Sequence, residues 1–265
     1  MSRAATRDCS PTPPLSLLVR LPLFTLRLAA LLVLVVAGLL CIACVFPLVS
    51  GRVRSTIGSA WARVLLRICG MRLLVRGAPP LSDAGLWVAN HVSWLDIFVL
   101  NSVRQTAFVA KSELRRWPIL GWLIAGAGTV FVDRSQRHAV KHAFDAMQAR
   151  FSRHEVLGLF PEGTTSPGWS VLPFYASLLE PALKAGVPVQ AVALLYTHHG
   201  MRSPLAAYAG NDTLLTNLWR VLGTTGLAVE AVFLEEVRTD VPGMTRHLLS
   251  ATLHQQLARV VDKGA

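Results

Sequence analysis

Cysteine is scarce: the chain has four, Cys9, Cys41, Cys44 and Cys69, all toward its N-terminal end. Cys41 and Cys44 have the spacing of half a zinc site, but they lie in an apolar run with no second Cys or His pair at matching distance. Neither a structural metal nor a disulfide framework is supported. Acidic residues are also few, with 15 Asp and Glu against 26 Lys and Arg and a formal charge of +11. A surplus of this size points to an anionic partner surface, either nucleic acid or anionic lipid. No recognised nucleic-acid-binding motif is present, and 52% hydrophobic residues with a mean hydropathy of +0.46 are unusual for a soluble nucleic-acid binder. Membrane lipid is therefore the favoured partner. The chain also lacks a Gly-x-Ser-x-Gly nucleophile elbow, an internal repeat and a low-complexity tract.

What is present begins with residues 28–51, which carry no charge. As a helix this stretch extends ~36 Å, enough to cross a ~30 Å hydrocarbon core. Residues 55–69 follow as an amphipathic helix, with Trp61, Val64, Leu65 and Ile68 near one face and Arg63 and Arg67 toward another. It suits a membrane interface, a hairpin dipping into one leaflet with the anchor, or packing on the main domain. Arg52, Arg54, Arg63 and Arg67 after the run, against Arg20 and Arg27 before it, place the main domain on the cytoplasmic side. Residues 1–20, with Pro11, Pro13 and Pro14, read as a disordered N-terminus. Residues 21–70 then form a membrane anchor and interfacial helix, and 71–265 one main domain.

In that domain short β-rich runs, at 73–75, 86–89, 107–110, 129–132, 156–160, 189–195 and 227–233, alternate with helical stretches. The helices are expected at 94–102, 113–125, 137–150, 175–184, 214–222 and 244–261. Such alternation predicts an α/β fold with a largely parallel central sheet covered by helices. Most strands read as continuous apolar runs, as expected when both faces are buried. Polar residues gather after successive strands: Asn90 and His91, then Lys111, then Asp133 and Arg134, then Glu162 and Gly163. Open α/β sheets place their sites at such strand ends.

In Asn90-His91-Val92-Ser93-Trp94-Leu95-Asp96 an imidazole leaves a strand five residues before a carboxylate, close enough for Asp96 to reach back. A carboxylate on one ring nitrogen fixes the tautomer that leaves the other free to accept a proton. Alternatively, Ser93 or Asp96 caps the following helix. Phe160-Pro161-Glu162-Gly163-Thr164-Thr165-Ser166 combines a strand end with an acid and a small flexible turn, whose donors suit an anion or headgroup. Arg134 has the chemistry for bidentate phosphate contact. His138 with His142, and the adjacent His198 and His199, lack the carboxylates that would make them metal sites.

Together and in this order these segments resemble the glycerophospholipid acyltransferase family, whose bacterial members include 1-acyl-glycerol-3-phosphate acyltransferases. The resemblance covers residues 70–240. It rests on His91 and Asp96, on residues 131–134, 160–164 and 187–189, and on the Lys111 to Gly121 stretch. It implies direct acyl transfer from acyl-CoA or acyl carrier protein to the free hydroxyl of 1-acyl-glycerol-3-phosphate, forming phosphatidate at the bacterial inner membrane. His91 would be the base and Asp96 its partner. Lys111 and Arg134 would receive the acceptor's anionic group, with Glu162, Gly163 and Thr164 completing that site, and no metal or cofactor would be needed.

Thr165 departs from the pattern, because many phosphatidate-forming members carry arginine there. Residues 160–174 and 208–212 look closer to a subgroup that includes lyso-ornithine lipid acyltransferases, whose acceptor has no phosphate. O-acylation of lyso-ornithine lipid or another lysolipid is thus the alternative. An alternative of another class is a non-catalytic, membrane-anchored lipid-binding protein.

Overall fold

The computed structural model describes residues 16–79, 81, 83–111, 129–132 and 137–264. The first helix, α1 (Leu17–Leu40), runs on through a wider turn at Cys41–Val45 and a tighter one at Phe46–Leu48. Helix α2 (Gly51–Ile68) follows. Two charges bound the apolar run in sequence, yet α1 continues through both because they turn toward the protein. The Arg20 guanidinium lies 4.9 Å from the Trp219 ring centre, and Arg27 Nη1 donates to Leu222 O at 3.1 Å and Thr224 O at 2.6 Å. Residues 17–20, expected in a disordered terminus, are therefore helical; residues 1–15 lie outside the described part. The outer face of α1 keeps Leu18, Leu26, Leu32, Val33, Val36 and Leu40 exposed.

The main domain is a mixed sheet between helices. Its strands are β1 (Met71–Gly77), β2 (Gly85–Ala89), β3 (Ala107–Lys111), β4 (Val130–Val132), β5 (Val156–Leu159), β6 (Val189–His198), β7 (Met201–Arg202) and β8 (Leu227–Val237). The spatial order is β1-β8-β6-β2-β5-β3-β4, with β7 paired to β6. From β6 to β4 every neighbour is parallel, so the ends of β2, β3, β4 and β5 point the same way. β7 and β8 pair antiparallel with β6, and β1, parallel to β8, runs the same way as β8.

The remaining helices are α3 (Asp96–Val103), α4 (Arg137–Phe151), α5 (Glu180–Ala185), α6 (Leu214–Leu222) and α7 (Arg246–Val261). The expected helix at 175–184 divides into a 3₁₀ turn, Ala176–Leu179, and α5. The one expected at 113–125 lies outside the described residues.

Period-two alternation explains the two cores. Trp87 and Ala89 of β2, with Val192, Leu194 and Tyr196 of β6, meet Leu31 of α1, Leu66 of α2, Leu100 of α3 and Leu222 of α6. Leu86 and Val88, with Val189, Ala191 and Ala193, meet Met147 of α4, Ala182 of α5 and Leu253 of α7. Each large side chain so buried contributes roughly 1.5–3 kcal/mol of apolar transfer. β8 instead alternates buried and half-buried residues over most of its length, as a strand with one partly open face does.

Because β8 starts opposite the end of β6, with Leu227 paired to His198, the connection between them does not cross back along the sheet. Residues 199–226 stay at one end and cover the exit of β2. Helix α6 holds this cover: Arg220 donates to Leu205 O and Ala207 O, each at 2.7 Å, and Asn217 Nδ2 donates to Ala207 O at 2.7 Å.

Candidate active site

Strand β2 ends at Ala89, but its pairing with β6 continues through a side chain. Buried Asn90 donates Nδ2 to Leu194 O at 3.1 Å and accepts from Leu194 N at 2.7 Å, which sets the direction in which His91 leaves the sheet. The loop then closes on Asp96. Its Oδ2 accepts from Val92 N at 2.7 Å and Ser93 N at 2.9 Å, and lies 2.7 Å from His91 Nδ1. Its Oδ1 accepts the Tyr196 hydroxyl at 2.7 Å. The backbone donors to Asp96, Val92 N and Ser93 N, precede it in sequence, whereas an N-cap serves residues that follow it. The carboxylate is thus used to bind His91 and its loop.

The Asp96 side chain is 0% exposed and the His91 side chain 20%. A buried carboxylate is tolerated here because hydrogen bonds and an imidazole partner replace its hydration. Held as donor to Asp96, Nδ1 carries the proton in the neutral ring, and Nε2 keeps its lone pair. The His91 ring stacks on Phe160 at 4.1 Å and 14°, and Phe160 stacks on Phe108 at 5.6 Å and 7°. A Cβ at Gly158 would collide with the Phe108 ring, so the bare backbone there makes room for this column.

The turn after β5 grips the backbone of His91 from both sides. Glu162 Oε1 accepts His91 N at 2.9 Å, and Ser166 N donates to His91 O at 2.9 Å. Gly163 permits the tight reversal with φ 69°. Glu162 Oε2 accepts Leu172 N at 3.2 Å, and the whole residue is only 3% exposed. Burial pushes the Glu162 carboxyl up to about 7, with the Asp96 charge adding to the shift and the two N–H donors opposing it. The Glu162 carboxylate, which the resemblance assigns to the acceptor site, is turned inward with both oxygens on backbone N–H groups. Gly163 is half-buried beside it and Thr164 exposed. The Thr165 hydroxyl donates to Tyr208 O, and Tyr208 N donates to Val92 O at 2.9 Å. Thr165 therefore ties the turn to the cover over the β2 exit.

Lys111 is the last residue of β3, at the same end of the parallel strands as His91 and Glu162. Arg134 lies outside the described residues. Tyr196 is the site residue the sequence misses: the strand is expected to stop at Leu195, whereas β6 runs to His198. Its signal is a phenol in step with Val192 and Leu194, at the end of an otherwise apolar run.

Several known proteins are similar to this chain. A family model described as Acyltransferase matches residues 72–195. The chain is 39% identical over 191 residues to a 1-acyl-sn-glycerol-3-phosphate acyltransferase of Neisseria gonorrhoeae, covering 72% of this chain and 74% of that protein. It is 36% identical over 194 residues to a lyso-ornithine lipid O-acyltransferase of Pseudomonas aeruginosa, again covering 72% and 74%. The crystal structure of the 1-acyl-sn-glycerophosphate acyltransferase PlsC from Thermotoga maritima superposes with a TM-score of 0.72 at 25% identity, covering 92% of this chain and 95% of that one.

Proposed function

The chain belongs to the acyltransferase family, as an enzyme of the type that acylates lysolipids, and from that premise we propose its specific reaction. It transfers a fatty acyl group from acyl-CoA or acyl carrier protein to the free hydroxyl of 1-acyl-glycerol-3-phosphate, forming phosphatidate. The observation that carries this is the buried Asp96 carboxylate 2.7 Å from His91 Nδ1, which leaves Nε2 as a base.

His91 Nε2 takes the hydroxyl proton as the acceptor oxygen bonds to the thioester carbonyl carbon, and Asp96 stabilises the imidazolium that forms. The tetrahedral intermediate collapses with cleavage of the carbon–sulfur bond. The departing thiolate then takes the proton from His91, so the cycle closes without a cofactor. Glu162 and Ser166 hold the His91 backbone in place, while Lys111 and Arg134 receive the acceptor's anionic group.

Helix α1 anchors the enzyme in the bacterial inner membrane, with the catalytic domain on the cytoplasmic side. Phe24, Leu28 and Leu34 pack against the protein core, while Leu18, Leu26, Leu32, Val33, Val36 and Leu40 stay exposed and offer an apolar face to the lipid.

A specific observation favours a second acceptor, lyso-ornithine lipid: Thr165 bonds to Tyr208 O and supplies no cation for a phosphate. The test offers lysophosphatidate and lyso-ornithine lipid in competition to the purified enzyme with a radiolabelled acyl donor. Labelled phosphatidate as the main product is expected; exclusive labelling of ornithine lipid transfers the assignment to the second acceptor. His91→Ala is expected to lower turnover ~10²-fold or more, and undiminished activity would remove the mechanism.

A further inference from the structure

On the reading of His91 as the base, we propose that Tyr196 is a positioning residue for the transfer reaction: its hydroxyl fixes the outer oxygen of Asp96 and thereby tunes the basicity of His91. The two residues are 100 apart in sequence and meet through a 2.7 Å hydrogen bond between side chains that are both buried.

The meeting follows from strand lengths. Ala89 pairs with Val192 at the end of β2, Asn90 bonds to Leu194, and β6 continues to Tyr196 beside the loop that carries His91. Val192, Leu194 and Tyr196 share the sheet face that packs against α3, whose first residue is Asp96. The phenol therefore arrives on the face where the carboxylate lies.

Its chemistry is that of a permanent donor. Burial first, and then the adjacent Asp96 charge, hold Tyr196 well above the ordinary tyrosine range, so the hydroxyl stays protonated. Three donors gather on Oδ2, and Tyr196 draws charge toward Oδ1. Removing the phenol oxygen concentrates the negative charge on the side facing His91, stabilises the imidazolium and raises the pH at which the base becomes active.

Among the described residues, three other titratable groups bear on this network. Glu162, from the turn after β5, bonds to His91 N and feels the Asp96 charge; it titrates at about 7. Cys69, at the end of α2, is coupled to Tyr196, and burial pushes its thiol up to about 12. Arg27 of α1 is coupled to Cys69 in turn. Of these, Glu162, pushed up to about 7, lies within the pH range of the assay, so it has to be removed to isolate the effect.

The experiment records kcat and KM from pH 5 to 9 for the parent, Tyr196→Phe, Glu162→Gln, the double variant and His91→Ala. Tyr196→Phe is expected to lower kcat up to about tenfold, because the Asp96 carboxylate that aligns His91 loses the bond holding its Oδ1, a loss of alignment that outweighs the added stabilisation of the imidazolium. KM should stay within about twofold, and the acid limb should move up by about half a pH unit, equally in the Glu162→Gln background. Site-specific replacement of Tyr196 by a fluorotyrosine keeps the packing and strengthens the donor, so the limb should move down. Unmoved limbs in both Tyr196 replacements, or a KM rise that accounts for the lost activity, would reduce Tyr196 to a packing residue. An active His91→Ala protein would instead overturn the assignment of the base itself.

Discussion

Replacing Glu162 with glutamine separates the clamp on His91 from the charge that the clamp carries. The folded protein raises this carboxyl from its ordinary 4.5 to about 7, with burial the largest cause. A folded state that holds the proton more tightly than the unfolded chain gains stability that is fully present below pH ~4.5. That gain is lost as the pH rises through about 7. The shift corresponds to about 3 kcal/mol at 1.36 kcal/mol per unit, or roughly 5 °C in Tm for a chain of this length.

Glutamine removes this component. Its carbonyl can still accept His91 N, but its amide faces Leu172 N with a second donor. The resulting penalty of about 1–3 kcal/mol does not depend on pH. The assay is thermal unfolding in detergent, followed by tryptophan emission from pH 5 to pH 8. The variant should melt well below the parent at pH 5, with the gap narrowing by roughly 5 °C at pH 8 as the parent loses its proton. A gap that stays constant across this range would refute the claim that Glu162 is buried and shifted.

Two further perturbations probe the site and its attachment to α1. Asp96→Asn can keep the bonds from Val92 N and Ser93 N on its amide oxygen, so the protein should fold. Without a charge to stabilise the imidazolium, turnover should fall about 10²–10⁴-fold, and near-parental steady-state rates would contradict the dyad. Arg27→Ala loses both bonds to the carbonyls at the end of α6, which should cost about 1–3 kcal/mol. Denaturant unfolding in detergent checks this, and an unchanged midpoint would show that α1 is not tied there.

The contact between His91 and Asp96 was legible in the sequence because it is local. Five residues leaving a strand form a loop short enough for the carboxylate to turn back onto the ring. The α/β alternation was legible for a similar reason, since each strand or helix writes its own period into a few consecutive side chains. The uncharged run likewise announced an apolar helix, though not that Arg20 and Arg27 would turn inward and let the helix begin earlier.

What the tertiary structure decided was which distant groups arrive at that loop. Nothing near Glu162 in sequence says that both its oxygens will be taken by backbone N–H groups, one of them 71 residues away. Nothing near Tyr196 says that β6 will outrun β2 and deliver a phenol to Asp96. Period and propensity report what a segment can be; neighbour order, strand register and relative strand length report what it meets. Those are settled only when the whole sheet packs, because each pairing is stabilised by burial that no single segment achieves alone.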